Sequence, residues 1–153
     1  MMIVYGQINA ENISTIIFMA DVSDEAIKKA LAKLTLDRDP TNWLSISYAE
    51  GSTDKLILNS VGTGGLSELS KHLKPTFQGY AYVRVTTPKN QAKYVLIQFV
   101  GEECTALKKA RVIVHEEDVL SVLKPVHAQI SASCAEDLSE NNIFTALSSS
   151  PAQ

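Results

Sequence analysis

Residues 93–101, KYVLIQFVG, are nearly all apolar and rich in β-branched and aromatic side chains. So short a run predicts a strand, and a strand without a polar face must be covered on both sides. Immediately upstream, GYAYVRVTT at 79–87 alternates, with Tyr80, Tyr82, Arg84 and Thr86 opposite Ala81, Val83 and Val85. The polar, basic TPKNQA between the two reads as a hairpin tip. A covered central strand requires a sheet with layers above and below, so the remaining elements have to supply those layers.

From Ser23, read as an N-cap with acids in the first turn, Ala26, Ile27, Ala30, Leu31 and Leu34 recur at helical spacing towards a stop near Asp39 and Pro40. WLSISYA places Leu44, Ile46 and Tyr48 on one face and Trp43, Ser45 and Ser47 on the other, and EGSTD turns it into the strand KLILNSV. A second helix follows from Leu66, Leu69 and Leu73, with Pro75 as its stop. In ALKKARVIV, β-branched Val112, Ile113 and Val114 favour a strand by propensity. Helical spacing puts Leu107, Ala110 and Val114 on one stripe and Lys108 and Arg111 on the adjoining one, which decides for a helix. HEEDVLSVL restarts or continues it, with Glu116, Glu117 and Asp118 suited to the positive end of a helix dipole. PVHAQISAS then reads as a last strand and AEDLSENNIFTAL as a closing helix. Strands and helices alternate irregularly, so the fold class is α+β, a mixed central sheet sandwiched by helices.

With 153 residues the chain fits one domain. Residues 1–18 read as an N-terminal extension, either docking as a strand through Ile13–Phe18 or outside the core. Residues 19–147 form the domain, and 148–153 a flexible tail. The 45% hydrophobic and 20% charged fractions are those of a soluble globular protein. The N-terminus lacks the pattern of a secretory signal, so the expected compartment is the cytoplasm and the Asn12-Ile13-Ser14 sequon is a chance match. Charge is unevenly spread. Between Lys71 and Arg111 there are eight basic residues against Glu102 and Glu103, while the rest of the chain has six basic and 15 acidic residues. Such polarity suggests an anionic partner met by one face.

Chemistry-bearing patterns are sparse. Cys104 and Cys134 lack CxxC spacing and read as reduced, packed thiols. VGTGG at 61–65 lacks the lysine and hydroxyl of a phosphate loop and reads as a turn before the second helix. His72, His115 and His127 fall in separate elements without HExxH pairing, so no metal site is expected. Glu116, Glu117 and Asp118 read as a solvated helix start, and no GxSxG or Cys/His signature accompanies them, so no enzyme is expected. Tyr80 and Tyr82 beside Arg84 raise base stacking on RNA, but the aromatic recognition pattern of the common RNA-binding module is unmatched. Tyrosines packed beneath a helix are the preferred reading.

Three stretches, YAYVRVTT at 80–87, KYVLIQFVGE at 93–102 and ALKKARV at 106–112, together with the order helix, hairpin, helix, hairpin, long helix, strand, helix, resemble the actin-depolymerising-factor homology family. Within it the likeness is to the coactosin branch. Phe99 stands where that branch often has Trp. The resemblance implies a mixed central sheet of five to six strands between helices, no cofactor and binding to actin; the chain is expected to be monomeric. It assigns actin contacts to Lys108, Lys109 and Arg111 at the start of the long helix and to Lys93 leading into the fourth strand, with Lys89 as a neighbour in the same hairpin. Where cofilins carry a Met and further lysines along that helix, this chain has Arg111 and then three acids. The expectation is therefore a binder of filament sides with little severing or depolymerising activity, acting on the actin cytoskeleton and meeting monomers weakly. The alternatives are a depolymerising factor that captures monomers and severs filaments, and, in another class, a basic-faced module for nucleic acid or phospholipid.

Overall fold

The computed structural model describes residues 19–149, so the readings of residues 1–18 and 150–153 lie outside the described residues. Helix α1 (Glu25–Leu34) leads to strands β1 (Trp43–Tyr48) and β2 (Leu56–Gly62), then α2 (Gly65–His72) and strands β3 (Gln78–Thr86) and β4 (Ala92–Val100). Helix α3 (Ala106–Leu120), strand β5 (Ala128–Ala132), a 3-10 turn at Ala135–Leu138 and helix α4 (Glu140–Ser149) complete the order expected from the sequence. The five strands lie in the order β2-β1-β3-β4-β5. All pairs are antiparallel except β4 with β5, so the sheet is mixed. A parallel pair needs a crossover, and α3 supplies it.

β4 is buried from Tyr94 to Val100. Alternate residues point to opposite sides of the sheet. Tyr94, Leu96 and Val100 join Tyr80, Tyr82, Leu44 and Ile46 in one core, under Ile27 and Leu34 of α1 and Val112 and Val119 of α3. Val95, Ile97 and Phe99 join Ala81, Val83 and Trp43 in the other, under Leu69 of α2 and Ile143 of α4. Helices α1 and α3 therefore cover one face and α2 and α4 the other.

Three local expectations are corrected. The N-cap of α1 is Asp24, not Ser23: one carboxylate oxygen accepts from Ala26 N–H at 3.2 Å and the other from Leu58 N–H at 2.9 Å. Asp24 bridges the helix to β2 through two separate carboxylate oxygens, a reach that the single oxygen of a serine lacks, and Ser23 donates instead to Asp21 through its N–H and hydroxyl. The acids Glu116, Glu117 and Asp118 lie in the last turns of α3, not at a helix start, because the helix runs unbroken through His115. Finally, α4 takes in Ser148 and Ser149, which the sequence reading assigned to the tail; the Ser149 hydroxyl donates to Thr145 and Ala146 carbonyls.

Where β3 meets β1, Gly79 has a φ of 154° and pairs with Ser47. A methyl there would run into the Ile46 carbonyl oxygen. Gly79→Ala is expected to destabilise the fold by about 1–3 kcal/mol through overpacking. Urea unfolding should show a lower midpoint with an unchanged slope.

Candidate functional site

Helix α3 begins at Thr105, whose hydroxyl accepts from Lys108 N–H at 3.3 Å. The following ALKKA is built from good helix formers, and this local preference carries the helix into the β-branched Val112, Ile113 and Val114. Only Val112, His115 and Val119 of α3 are buried. At 3.6 residues per turn, Ala106, Ala110, Ile113 and Glu117 share the line opposite, and all four are exposed. The stripe of Leu107, Ala110 and Val114 thus lies on the outer side of the helix, with Leu107 69% and Ile113 50% exposed. Periodicity identified residues that share a side without saying which side the sheet covers, and the covered one is marked by Val112 and His115.

The cations of α3 diverge. Lys109 lines a groove of about 210 Å³ with Gln98, Ser131 and Asp137, on the flank towards β5. Arg111 turns to the other flank, its guanidinium carbon 5.8 Å from the centre of the Tyr48 ring. Lys108 is exposed at the helix start, on a line with Arg111 that runs into the protein at His115.

Lys89 and Lys93 lie elsewhere. By strand alternation Lys93 points to the face covered by α2 and α4, opposite to α3. With Thr87, Gln91, Phe144 and Leu147 the two lysines line a groove of about 380 Å³. The nine residues of β4 separate this hairpin end from the end where α3 starts, about 26 Å over eight steps of some 3.3 Å each. The expectation that one face gathers the basic stretch is therefore corrected: α3 and the hairpin present two basic groups at opposite ends and on opposite faces of the sheet. Among the described residues, none of these five cations is ion-paired; Lys28 and Glu25 form the ion pair there, at 3.5 Å.

Features weighed for other chemistries are taken up by the fold. Tyr80 and Tyr82 are 0% exposed, their hydroxyls donating to the Val112 and Pro125 carbonyls. Arg84 donates to the carbonyls of Leu34 and Asp39 at the end of α1, at 2.7 and 3.2 Å. In the glycine loop, Glu68 accepts from Gly64 N–H at 3.0 Å and from the Trp43 indole at 2.8 Å, and Asn42 accepts from Gly65 N–H at 2.9 Å. The Gly64 and Gly65 N–H groups, two donors that a phosphate at this loop would use, are thus already engaged.

Residues 19–148 match the family described as cofilin/tropomyosin-type actin-binding protein. Coactosin of Dictyostelium discoideum is 36% identical over 131 residues, covering 83% of this chain and 88% of that protein. The chain belongs to the cofilin/tropomyosin-type family. A drebrin-like protein of the same organism is 33% identical over 128 residues, which are 83% of this chain but 26% of that longer protein. The fold is shared with crystal structures of human coactosin-like protein, at a TM-score of 0.76 and 21% identity, covering 84% of this chain and 98% of that one.

For a member of this family, the acids of α3 prove to be positioning groups as much as surface charges. Glu116 accepts from the Gln98 amide at 3.0 Å, and Asp118 accepts from Ala20 N–H at 2.9 Å. Glu117 alone of the three is exposed. The hairpin groove also depends on residues that the sequence reading did not single out. Phe144 and Leu147, three apart on α4, form its apolar wall, a signal present in the helical spacing of the last element. His127 lines the same groove, its Nδ1 accepting from Tyr94 N–H at 3.0 Å. Burial, followed by the charge of Lys93, holds its pKa below the usual 6.5, so at neutral pH the positive charge of the groove comes from the lysines.

Burial holds the Glu116 carboxyl above its ordinary 4.5; the Gln98 amide opposes this and the neighbouring Glu117 adds to it. A raised folded-state value means that the stability from this group is fully present below about 4.5 and is lost as pH rises through the folded value. Glu116→Gln keeps an acceptor for Gln98 without the charge. Its urea midpoint is expected to exceed the parent's at pH 7.5, with the difference shrinking towards pH 4. An equal difference at both pH values would contradict this account.

Proposed function

We propose that the domain binds the sides of actin filaments, with little severing or depolymerising activity, and so regulates filament stability in the cytoplasm. The observation that carries this reading is the division of five cations, none of them ion-paired among the described residues, into two groups at opposite ends and faces of one sheet. A filament repeats the same acidic subunit, so one domain can meet two subunits at once. Lys109 and Arg111 flank the exposed apolar side of α3 and Lys108 stands at its start, a combination suited to an apolar cleft with an acidic rim. Lys89 and Lys93, above Phe144 and Leu147, offer a second contact of the same mixed character.

The apolar outer line of α3 ends at Glu117, where further cations would be needed to extend the contact along the helix. This supports filament decoration over monomer capture. The buried state of Tyr80 and Tyr82 weighs against the nucleic-acid alternative, since neither ring is available to stack on a base.

Exposed charge contacts contribute about 0–1 kcal/mol each, so binding is expected to weaken with salt. The test is co-sedimentation with filamentous actin at two salt concentrations, reading pellet and supernatant for both proteins. The protein should pellet with actin at low salt, less at high salt, and actin should stay in the pellet. More actin in the supernatant would replace this reading with that of a depolymerising factor. Lys93→Ala, and Lys108→Ala with Arg111→Ala, should each weaken binding, by up to about fivefold per charge removed, without changing the unfolding midpoint by more than about 0.5 kcal/mol equivalent.

A further inference from the structure

The three cations of α3 are not equally free. Lys108 and Lys109 are exposed, whereas Arg111 is half-buried, with its guanidinium carbon 5.8 Å from the centre of the Tyr48 ring. That distance falls within the range of about 6 Å over which an aromatic face attracts a cation. The ring is itself held at both ends. Tyr48 is the last residue of β1 and pairs with Leu56 of β2, which fixes its backbone. Its hydroxyl lies 2.7 Å from Nδ1 of His115, one turn beyond Arg111 on α3 and 1% exposed. The Tyr48 and His115 rings also contact one another, 5.7 Å apart at a tilt of 48°. The face that Arg111 meets is therefore a fixed surface.

We propose that Tyr48 is a positioning residue for filament binding: it orients the Arg111 guanidinium along the flank of α3, so that this planar donor meets a carboxylate without first being ordered. This rests on the filament reading above. An arginine side chain loses considerable rotamer freedom on binding, and a guanidinium already held over a ring face has lost part of it beforehand. Among the described residues the ammonium of Lys108 or Lys109 has no such surface, and it contributes mainly long-range attraction. Burial pushes the Tyr48 hydroxyl up to about 12, with Tyr80 and Arg111 opposing, so the phenol stays neutral across the physiological pH range. The role belongs to the ring face, and the hydroxyl serves the ring.

The experiment combines two readouts on the whole chain: side-chain NMR of Arg111 in arginine-labelled protein, and actin co-sedimentation. The variants are Tyr48→Phe, Tyr48→Leu, Arg111→Ala and the double Tyr48→Leu with Arg111→Ala. The expected result is an Arg111 guanidinium signal displaced by the ring current in the parent and in Tyr48→Phe, and not in Tyr48→Leu. Filament binding by Tyr48→Phe should match the parent, Tyr48→Leu should be about two- to fivefold weaker, and the double variant should bind like Arg111→Ala. The proposal is overturned by an Arg111 signal that is the same with and without the ring, by a Tyr48→Leu loss that adds in full to that of Arg111→Ala, or by an Arg111→Ala protein that binds like the parent. Should the parent itself fail to pellet with actin, the filament reading falls, and the NMR comparison decides the Tyr48–Arg111 coupling on its own. If Tyr48→Leu loses cooperative unfolding, Arg111→Lys tests the same point from the other side, since it keeps the charge and gives up the planar guanidinium held over the ring. Weakened binding by that variant supports the proposal, and parent-like binding overturns it.

Discussion

The two-sided burial of β4 is the constraint on which the other elements depend. Its backbone is hydrogen-bonded to β3 on one side and β5 on the other, and its side chains enter two separate apolar cores. A strand in that position leaves no face for water, so helices must be brought to both sides of the sheet. The parallel pairing with β5 adds a second demand, because the chain has to return along the sheet before β5 can form. Helix α3 meets both demands, as cover for one core and as the connection between the two strands.

This double duty explains the unusual exposure of α3. A helix crossing the sheet can rest on a narrow line, and here the line is Val112, His115 and Val119. Polar contacts secure its length: the Tyr80 hydroxyl on the Val112 carbonyl, Gln98 on Glu116 and the Ala20 N–H on Asp118. Buried and half-buried polar groups need such partners, since leaving them unsatisfied costs more than the bonds contribute. With the helix fixed from beneath and from its flanks, the outer side has no packing role. Its apolar residues and the flanking cations are available to a partner.

How far the site was legible in the sequence differs from residue to residue. The helical spacing of Leu107, Ala110 and Val114 correctly grouped them, but a stripe of that kind is ordinarily the buried one. Its outward direction follows from β-sheet geometry that lies elsewhere in the chain. Lys93 and Lys108 were both recognised as candidates, yet their placement on opposite faces depends on strand parity and on the side from which the crossover returns. Asp24 displaced Ser23 as a cap for a similar reason, because its second oxygen reaches Leu58, a partner 34 positions away.

By itself, the sequence determined the elements, their order and the alternation of each strand, because these follow from local propensity and from periods of 2 and 3.6 residues. It also determined the family, through stretches such as YAYVRVTT and KYVLIQFVGE. Only the tertiary structure decided which side of α3 is covered, how the basic stretch is divided between two ends of the sheet, and that Arg111 rests on Tyr48, 63 positions earlier in the chain. Each of these is a relation between residues distant in sequence. Such relations are set when two layers close on a shared strand, and no local period records them.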